Sequence, residues 1–344
     1  MPDYEQIIPR ILTGAGTGDR RPSAAPAKAR VVGAYLSQPL EQVNRPAYAH
    51  AVLQLPGVAG LEIPLCTTMA RDDAKWLMDV LPPGACNIAT LMGACDEAVA
   101  DDPAFGLAST DPAGRNRALD LLQQARHSIA RMTERGQHVL ALEVHSSPTH
   151  RDNIDGTSQE FAASLAQAAD WDWGETALVV EHCDAARSSG GMSKGFLTLD
   201  EEIDAVETVR ALSPRTPVMM SINWGRSAID TRNAGGPLAQ IDRLRRHGLL
   251  AGVILSGASD KASSYGAPWT DAQLPAAAPD GSGEASSLLT PQRAVEAMER
   301  AGDHLLFDGV TIAVMPQWTP SQERLRYVRG LLSVMPRGHL SVAF

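Results

Sequence analysis

Eight short apolar runs, each followed by a stretch of helical patterning, recur through the 344-residue chain. They are Val31–Ser37, Gly60–Leu65, Cys86–Leu91, His138–His145, Ala177–Cys183, Pro217–Asn223, Leu250–Ser256 and Gly309–Val314. Most are continuous rather than alternating, as strands covered on both faces require. Helical patterning falls at Arg45–Leu55, Arg71–Leu81, Arg115–Arg135, Ser158–Ala168, Asp200–Leu212, Leu238–His247, Pro291–Ala301 and Pro320–Ser333. Thr198-Leu199-Asp200-Glu201-Glu202 and Thr290-Pro291 carry helix-start chemistry, with an acid or Pro in the first turn. Eight such units predict an α/β fold of the (β/α)8 TIM-barrel type. An open, doubly wound sheet is the weaker reading, because an eighth unit with its own helix suits closure.

Residues 31–344 therefore read as one barrel domain. Residues 1–30 are rich in Gly, Pro, Ala, Ser and Arg and read as a flexible arm. The stretch 259–289 after the seventh run is too long for a plain connection. Its Tyr265 and Trp269 predict that part of it packs as a lid.

The formal net charge of -10 argues against a nucleic-acid partner. No apolar run reaches the ~18 residues of a membrane span, and Met1–Gln6 lacks the basic-then-apolar start of a signal peptide. Cys66, Cys86, Cys95 and Cys183 form no CxxC pair and read as reduced, mostly buried thiols of a cytoplasmic protein. No GxGxxG follows the first run, and Gly14-Ala15-Gly16-Thr17-Gly18 precedes every strand, so no nucleotide cofactor is expected.

Barrel enzymes carry their chemistry at the C-terminal ends of the strands, and polar residues collect there. Glu62 lies on the second run, Glu143 and His145 end the fourth, and Glu181, His182, Cys183 and Asp184 end the fifth. Asn223, Trp224 and Arg226 end the sixth. Side chains alternate along a strand, so Glu143 shares a face with His145, and Glu181 with Cys183. His182 and Asp184 share the other face and reach the site only from the loop. Converging carboxylates and imidazoles can hold a divalent metal, with Glu143, Glu181, Asp184 and His145 as ligands. They can equally act as general acid and base.

Plainer roles compete at several positions. Glu62 is either a site residue or a salt-bridged structural one, and His182 either a site residue or a core histidine held in the helix layer. Trp224 either stacks on a sugar ring or fills the core. Cys183 reads as packing. Arg226 and Lys194 are the candidate anion-binding cations, or else solvated loop charges. His50, His127, His138 and His247 read as structural or surface residues.

Leu140–Glu143 resembles the metal-ligand strand of xylose isomerase-like barrels, a superfamily that includes ketose 3-epimerases and endonuclease IV-like enzymes. Glu-Val-His-Ser-Ser-Pro (143–148), Val-Val-Glu-His-Cys-Asp-Ala (179–185) and Ile-Asn-Trp-Gly-Arg-Ser (222–227) are closer still to an uncharacterised bacterial family. That domain-of-unknown-function family is often labelled as sugar-phosphate isomerases. The resemblance runs from about Val31 to the end. It implies the (β/α)8 fold and a sugar or sugar-phosphate isomerase or epimerase working by proton transfer beside a carbonyl. It implies Mn²⁺ or Mg²⁺ as the metal to consider, and a dimer or tetramer as the assembly. A lyase, hydratase or hydrolase acting on an oxidised sugar would need the same base, and a non-catalytic binding barrel is a third reading. The sequence departs from the characterised epimerases in three places. Glu181-x-x-Asp184 ends in Asp instead of His, Asn223 stands where a His is expected, and the eighth run offers no Glu.

Overall fold

The computed structural model describes residues 28–65, 75–150, 154–186, 193–278 and 283–335. Eight parallel strands close into a barrel in chain order. They are β1 (Ala29–Val32), β2 (Gly60–Pro64), β3 (Cys86–Thr90), β4 (His138–Val144), β5 (Ala177–His182), β6 (Val218–Asn223), β7 (Leu250–Leu255) and β8 (Phe307–Val310). Closure is made by β1 on β8, with Ala29 opposite Phe307 and Val31 opposite Gly309. Among the described residues no helix is long and apolar enough to cross a membrane.

Two apolar layers follow from the strand alternation. Val31, Ile88, Ala141, Val179, Met219 and Phe307 fill the barrel interior. Leu61, Ile63, Leu142, Leu178, Val180 and Val253 face the helices. Interior packing depends on unequal partners. A Cβ on Gly252 would stand 2.2 Å from the Phe307 ring, so the bare backbone of β7 makes room for the phenyl group of β8.

The sequence reading placed all eight strands, with shifts at the two ends. The first run divides into β1 and a helical turn, Ala34–Ser37. The eighth strand lies earlier than read, because its register on β1 starts at Phe307. Ala29 and Arg30, read as the end of an arm over 1–30, belong to β1; residues 1–27 of that stretch lie outside the described residues. Two helices escaped the pattern, Met92–Asp101 and Trp224–Thr231, and His138 opens β4 instead of lying at a helix. The helix read at Arg71–Leu81 is described over Lys75–Val80 only. The expected caps form. Thr198 and Glu201 close a reciprocal capping box, and Thr290 accepts from the Arg293 backbone N–H ahead of Pro291.

Candidate functional site

Strand pleating aims Glu62 of β2, Glu143 of β4, Glu181 of β5 and Ser221 of β6 into one end of the barrel, where all four are buried. His145, just past β4, continues the Glu143 face. Its Nε2 lies 2.9 Å from Glu181 Oε2, and the other Glu181 oxygen takes Arg226 Nη1 at 2.5 Å. Arg226 arrives there because Asn223 caps the following helix, accepting from the backbone N–H groups of Gly225 and Arg226. That turn throws the guanidinium back over the mouth.

The lid completes the site. Asp271 accepts from Arg226 Nε at 3.0 Å and from Gln273 Nε2 at 2.6 Å, while Gln273 Oε1 accepts from Asn223 Nδ2 at 3.1 Å. Gln273 adopts φ 49°, a left-handed conformation costly for a side-chain-bearing residue, so these contacts hold it in place. Tyr265 receives the Met315 backbone N–H at 3.0 Å, and Trp269 lies under the Arg232 guanidinium at 5.3 Å. The described parts of 259–289 are thus fastened over the mouth. Asp271→Asn should weaken that fastening by about 2 kcal/mol, the worth of a hydrogen bond to a charged group. Hydrogen exchange of 259–278 should rise several-fold with the barrel strands unchanged; equal protection of both would refute the contact as the fastener.

The three mouth carboxyls sit in different electrostatic surroundings. Burial pushes Glu143 well above the ordinary carboxylate range, and the charges of Glu181 and Glu62 push it further. Ser221 donates to its Oε1 at 2.8 Å, and its Oε2 is buried without a hydrogen-bond partner among the described residues. Burial also raises Glu62 to about 7, aided by Glu181 and opposed by Thr311, Tyr35 and Arg226. Tyr35 donates to Glu62 Oε1 at 2.8 Å, and Thr311 donates to Oε2. Thr311 reaches across only because Gly33 lacks a side chain, since a Cβ there would sit 2.3 Å from the Thr311 hydroxyl. For Glu181, burial is outweighed by Arg226 and His145, and its carboxyl lies below the ordinary value. Asp271 follows the same logic, with Arg226 and Lys194 overcoming burial to hold it at about 2.

Other residues singled out in the sequence lie elsewhere. His182 turns into the helix layer, with Nδ1 2.6 Å from Glu202 and Nε2 3.4 Å from Asp230. Asp184 accepts the backbone N–H groups of Ser193 and Lys194 at 2.7 and 2.9 Å, fixing the loop after β5. Trp224 is wholly buried in the outer apolar cluster, away from the mouth carboxyls. Lys194 stands at the rim, 2.5 Å from Asp96 and 3.6 Å from Asp271, already neutralised by carboxylates. Cys86, Cys95 and Cys183 are free and buried, and Cys66 lies outside the described residues. Five mouth residues were not singled out as site residues: Tyr35, Ser221, Asp271, Gln273 and Thr311. The only available signal was position, for Tyr35 and Thr311 just past a strand and for Asp271 and Gln273 inside the long loop; Ser221, within β6, gave none.

The expected metal set of Glu143, Glu181, Asp184 and His145 does not fit a divalent ion. Asp184 is committed to its loop, and both Glu181 oxygens are taken by Arg226 and His145. A guanidinium stands where the cation's charge would be needed. Among the described residues no three His, Cys, Asp or Glu side chains are grouped to hold a metal.

The family described as a domain of unknown function, DUF4862, matches residues 31–327. An uncharacterized protein of Salmonella typhimurium is 26% identical over 316 residues, covering 89% of this chain and 96% of its own length. Among solved structures, one provisionally named a xylose isomerase, from Rhodospirillum rubrum, superposes with TM-score 0.58 at 12% identity. It covers 90% of this chain and 99% of that one. A D-psicose 3-epimerase from Clostridium cellulolyticum, crystallised with D-tagatose, gives TM-score 0.51 at 13% identity, covering 89% and 97%. At such identities these likenesses speak for the fold alone, and that fold is the eight-stranded parallel barrel.

Proposed function

The chain belongs to the DUF4862 family, a domain of unknown function, and from that premise and the geometry of the mouth we propose a sugar or sugar-phosphate isomerase or epimerase. One observation carries the reading. Three buried carboxyls share one mouth, yet one is held ionised, one neutral and one near 7. Such divergence assigns acid and base roles within a single site.

Glu62, ionised in a large share of molecules at neutral pH, takes the proton from the carbon beside the substrate carbonyl. The electron pair moves onto the carbonyl oxygen to give an enediolate. Arg226, fixed by Glu181 and Asp271, stabilises that developing charge electrostatically. Glu143, kept neutral, returns a proton. Delivery to the former carbonyl carbon, with the proton of the neighbouring hydroxyl passing to the former carbonyl oxygen, completes an isomerisation. Delivery to the opposite face of the deprotonated carbon completes an epimerisation, and proton exchange with solvent between turnovers resets Glu62 and Glu143. Atoms balance without a co-substrate. His145 orients Glu181, and the lid excludes water from the enediolate.

The test is conversion of unphosphorylated and phosphorylated ketoses, starting with D-psicose, D-fructose and D-tagatose, followed by NMR in D2O. Deuterium should enter the carbon beside the carbonyl, in a product of otherwise unchanged mass. Loss of water from the product would point to a lyase instead. The kcat/KM profile should rise through an ascending limb near pH 7 as Glu62 ionises, and fall at higher pH as Glu143 does. Purified protein should contain far less than one divalent ion per chain, and EDTA should leave turnover unchanged. A stoichiometric Mn²⁺ whose removal abolishes turnover would overturn the role given to Arg226.

A further inference from the structure

A cavity of about 230 Å3 opens behind Glu62, against the turn Ala34–Ser37, helix Arg45–Leu53 and helix Lys75–Val80. Tyr35 and Glu62 line it, so it shares a wall with the mouth. The lining continues through Gln38, Arg45, Tyr48 and Trp76. The volume falls below the roughly 300 Å3 at which pockets begin to hold drug-sized ligands. It suits a short chain of a few carbons.

Two of these residues are unfinished in the free protein. Tyr48 is 2% exposed, and among the described residues its hydroxyl has the Ser37 side chain beside it but completes no hydrogen bond of good geometry. Leaving such a group unpaired costs about 1–3 kcal/mol, so a buried hydroxyl of this kind is normally matched by a partner. Arg45 gives long bonds of 3.3 Å to the carbonyls of Pro39 and Leu40 and meets no carboxylate among the described residues. Trp76 adds an aromatic face, which packs on the C–H side of a sugar chain. The wall thus alternates a hydrogen-bonding hydroxyl, amide and guanidinium with an apolar plate, the pattern of a surface that reads a row of hydroxyl groups.

We propose that this cavity is a subsite for the hydroxylated tail of the substrate, a neutral chain of three or four carbons extending from the carbon that Glu62 deprotonates. The proposal rests on the reading of the mouth as a sugar-converting site. A neutral tail is favoured over a phosphorylated one because the wall presents the Glu62 carboxyl beside the uncharged Tyr48 and Gln38, while Arg45 donates to the Pro39 and Leu40 carbonyls. Substrate length would then be selected here, away from the reacting atoms.

Saturation-transfer NMR with erythritol and, separately, glycerol 3-phosphate tests this without requiring turnover. The wild-type protein should saturate erythritol. Tyr48→Phe should reduce that signal at least twofold, and Trp76→Ala should abolish it, with thermal melting showing both variants folded. Tyr48→Phe removes only a hydroxyl that forms no well-made hydrogen bond among the described residues, so its fold is safe even if Trp76→Ala proves unstable. Erythritol signals that are absent in wild type, or equal in wild type and Tyr48→Phe, would overturn the subsite. A stronger response to glycerol 3-phosphate would overturn the neutral tail. If no ketose is converted but erythritol binding follows the variants, the reaction assignment falls and the subsite stands. If ketoses are converted with KM unchanged in Tyr48→Phe, the subsite falls alone.

Discussion

Glu143→Gln is expected to cut turnover roughly 100- to 10,000-fold, the range for loss of one general acid–base group, while raising the melting temperature. The two effects share a cause. Glu143 is buried beside two other carboxyls, so the folded chain keeps a proton that the unfolded chain releases at neutral pH. A carboxyl whose pKa is raised on folding contributes its full stability below the unfolded value. That contribution is lost as pH rises through the folded value, because the folded state then binds more protons than the unfolded one. Gln carries no such penalty. Its oxygen can still accept from Ser221, and its NH2 group replaces an atom that is already unpartnered. A gain of about 1–2 kcal/mol is typical for relieving a strained functional position. It would appear as a rise of a few degrees by calorimetry. The gain should be present at pH 7 and vanish near pH 3–4, where wild-type Glu143 is protonated in both states. A variant with wild-type turnover, or a destabilisation independent of pH, would contradict the assignment of Glu143 as a buried neutral acid.

The same parity rule explains what could be read in the sequence. A strand alternates its faces, so Glu143 with His145 on β4, and Glu181 on β5, had to point together once the barrel was recognised. Their convergence needed only pattern and closure. Ser221 and Thr311 gave no such signal, since a hydroxyl inside a strand or just past its end is unremarkable until register places it beside a carboxylate. Ser221 is next to Glu143 because β6 pairs with β5 at Glu181. Thr311 reaches Glu62 because the residue that follows β1, Gly33, carries no side chain. Asp271 and Gln273 sit in a loop with no period to read, and their docking is decided by Arg226 and Asn223, almost 50 residues earlier. The shifted bounds of β1 and β8 have a similar origin, since pairing with each other, not local apolarity, sets where they begin and end.

Metal chemistry turned on a contact beyond any local motif. Glu143, Glu181 and His145 are suitable donors taken singly. Arg226, however, occupies Glu181 at 2.5 Å, and the turn that carries it is set by the Asn223 cap. Asn223 is also the position where the resemblance led to expecting a histidine. Asn223 therefore both offers no imidazole and, through its cap, brings the Arg226 guanidinium to Glu181.

His182→Leu is expected to be the most destabilising single change outside the apolar core, at about 3–5 kcal/mol, the cost of breaking a buried ion pair from one side. Parity alone turns His182 away from Glu181, toward the helices. There Glu202 and Asp230 overcome the opposing effect of burial and raise the imidazole to about 10. Removing it strands Glu202, which is wholly buried and shared with the Ser146 hydroxyl. It also strands Asp230, which accepts from Gln240 Nε2 at 2.7 Å and from the Ala185 backbone N–H at 3.0 Å. The network thereby ties the loop after β4, next to His145, to the loop after β5, next to Glu181. Its loss should loosen both sides of the mouth as well as lower the melting temperature by several degrees. The pH dependence identifies the cause. A histidine raised on folding gives its full stability below about 6.5, the unfolded value, and loses it as pH rises through about 10. The gap between wild type and His182→Leu, measured by urea melts, should therefore be widest at pH 6 and narrow steadily toward pH 10. A gap that stays constant across that range would mean that His182 contributes by packing alone.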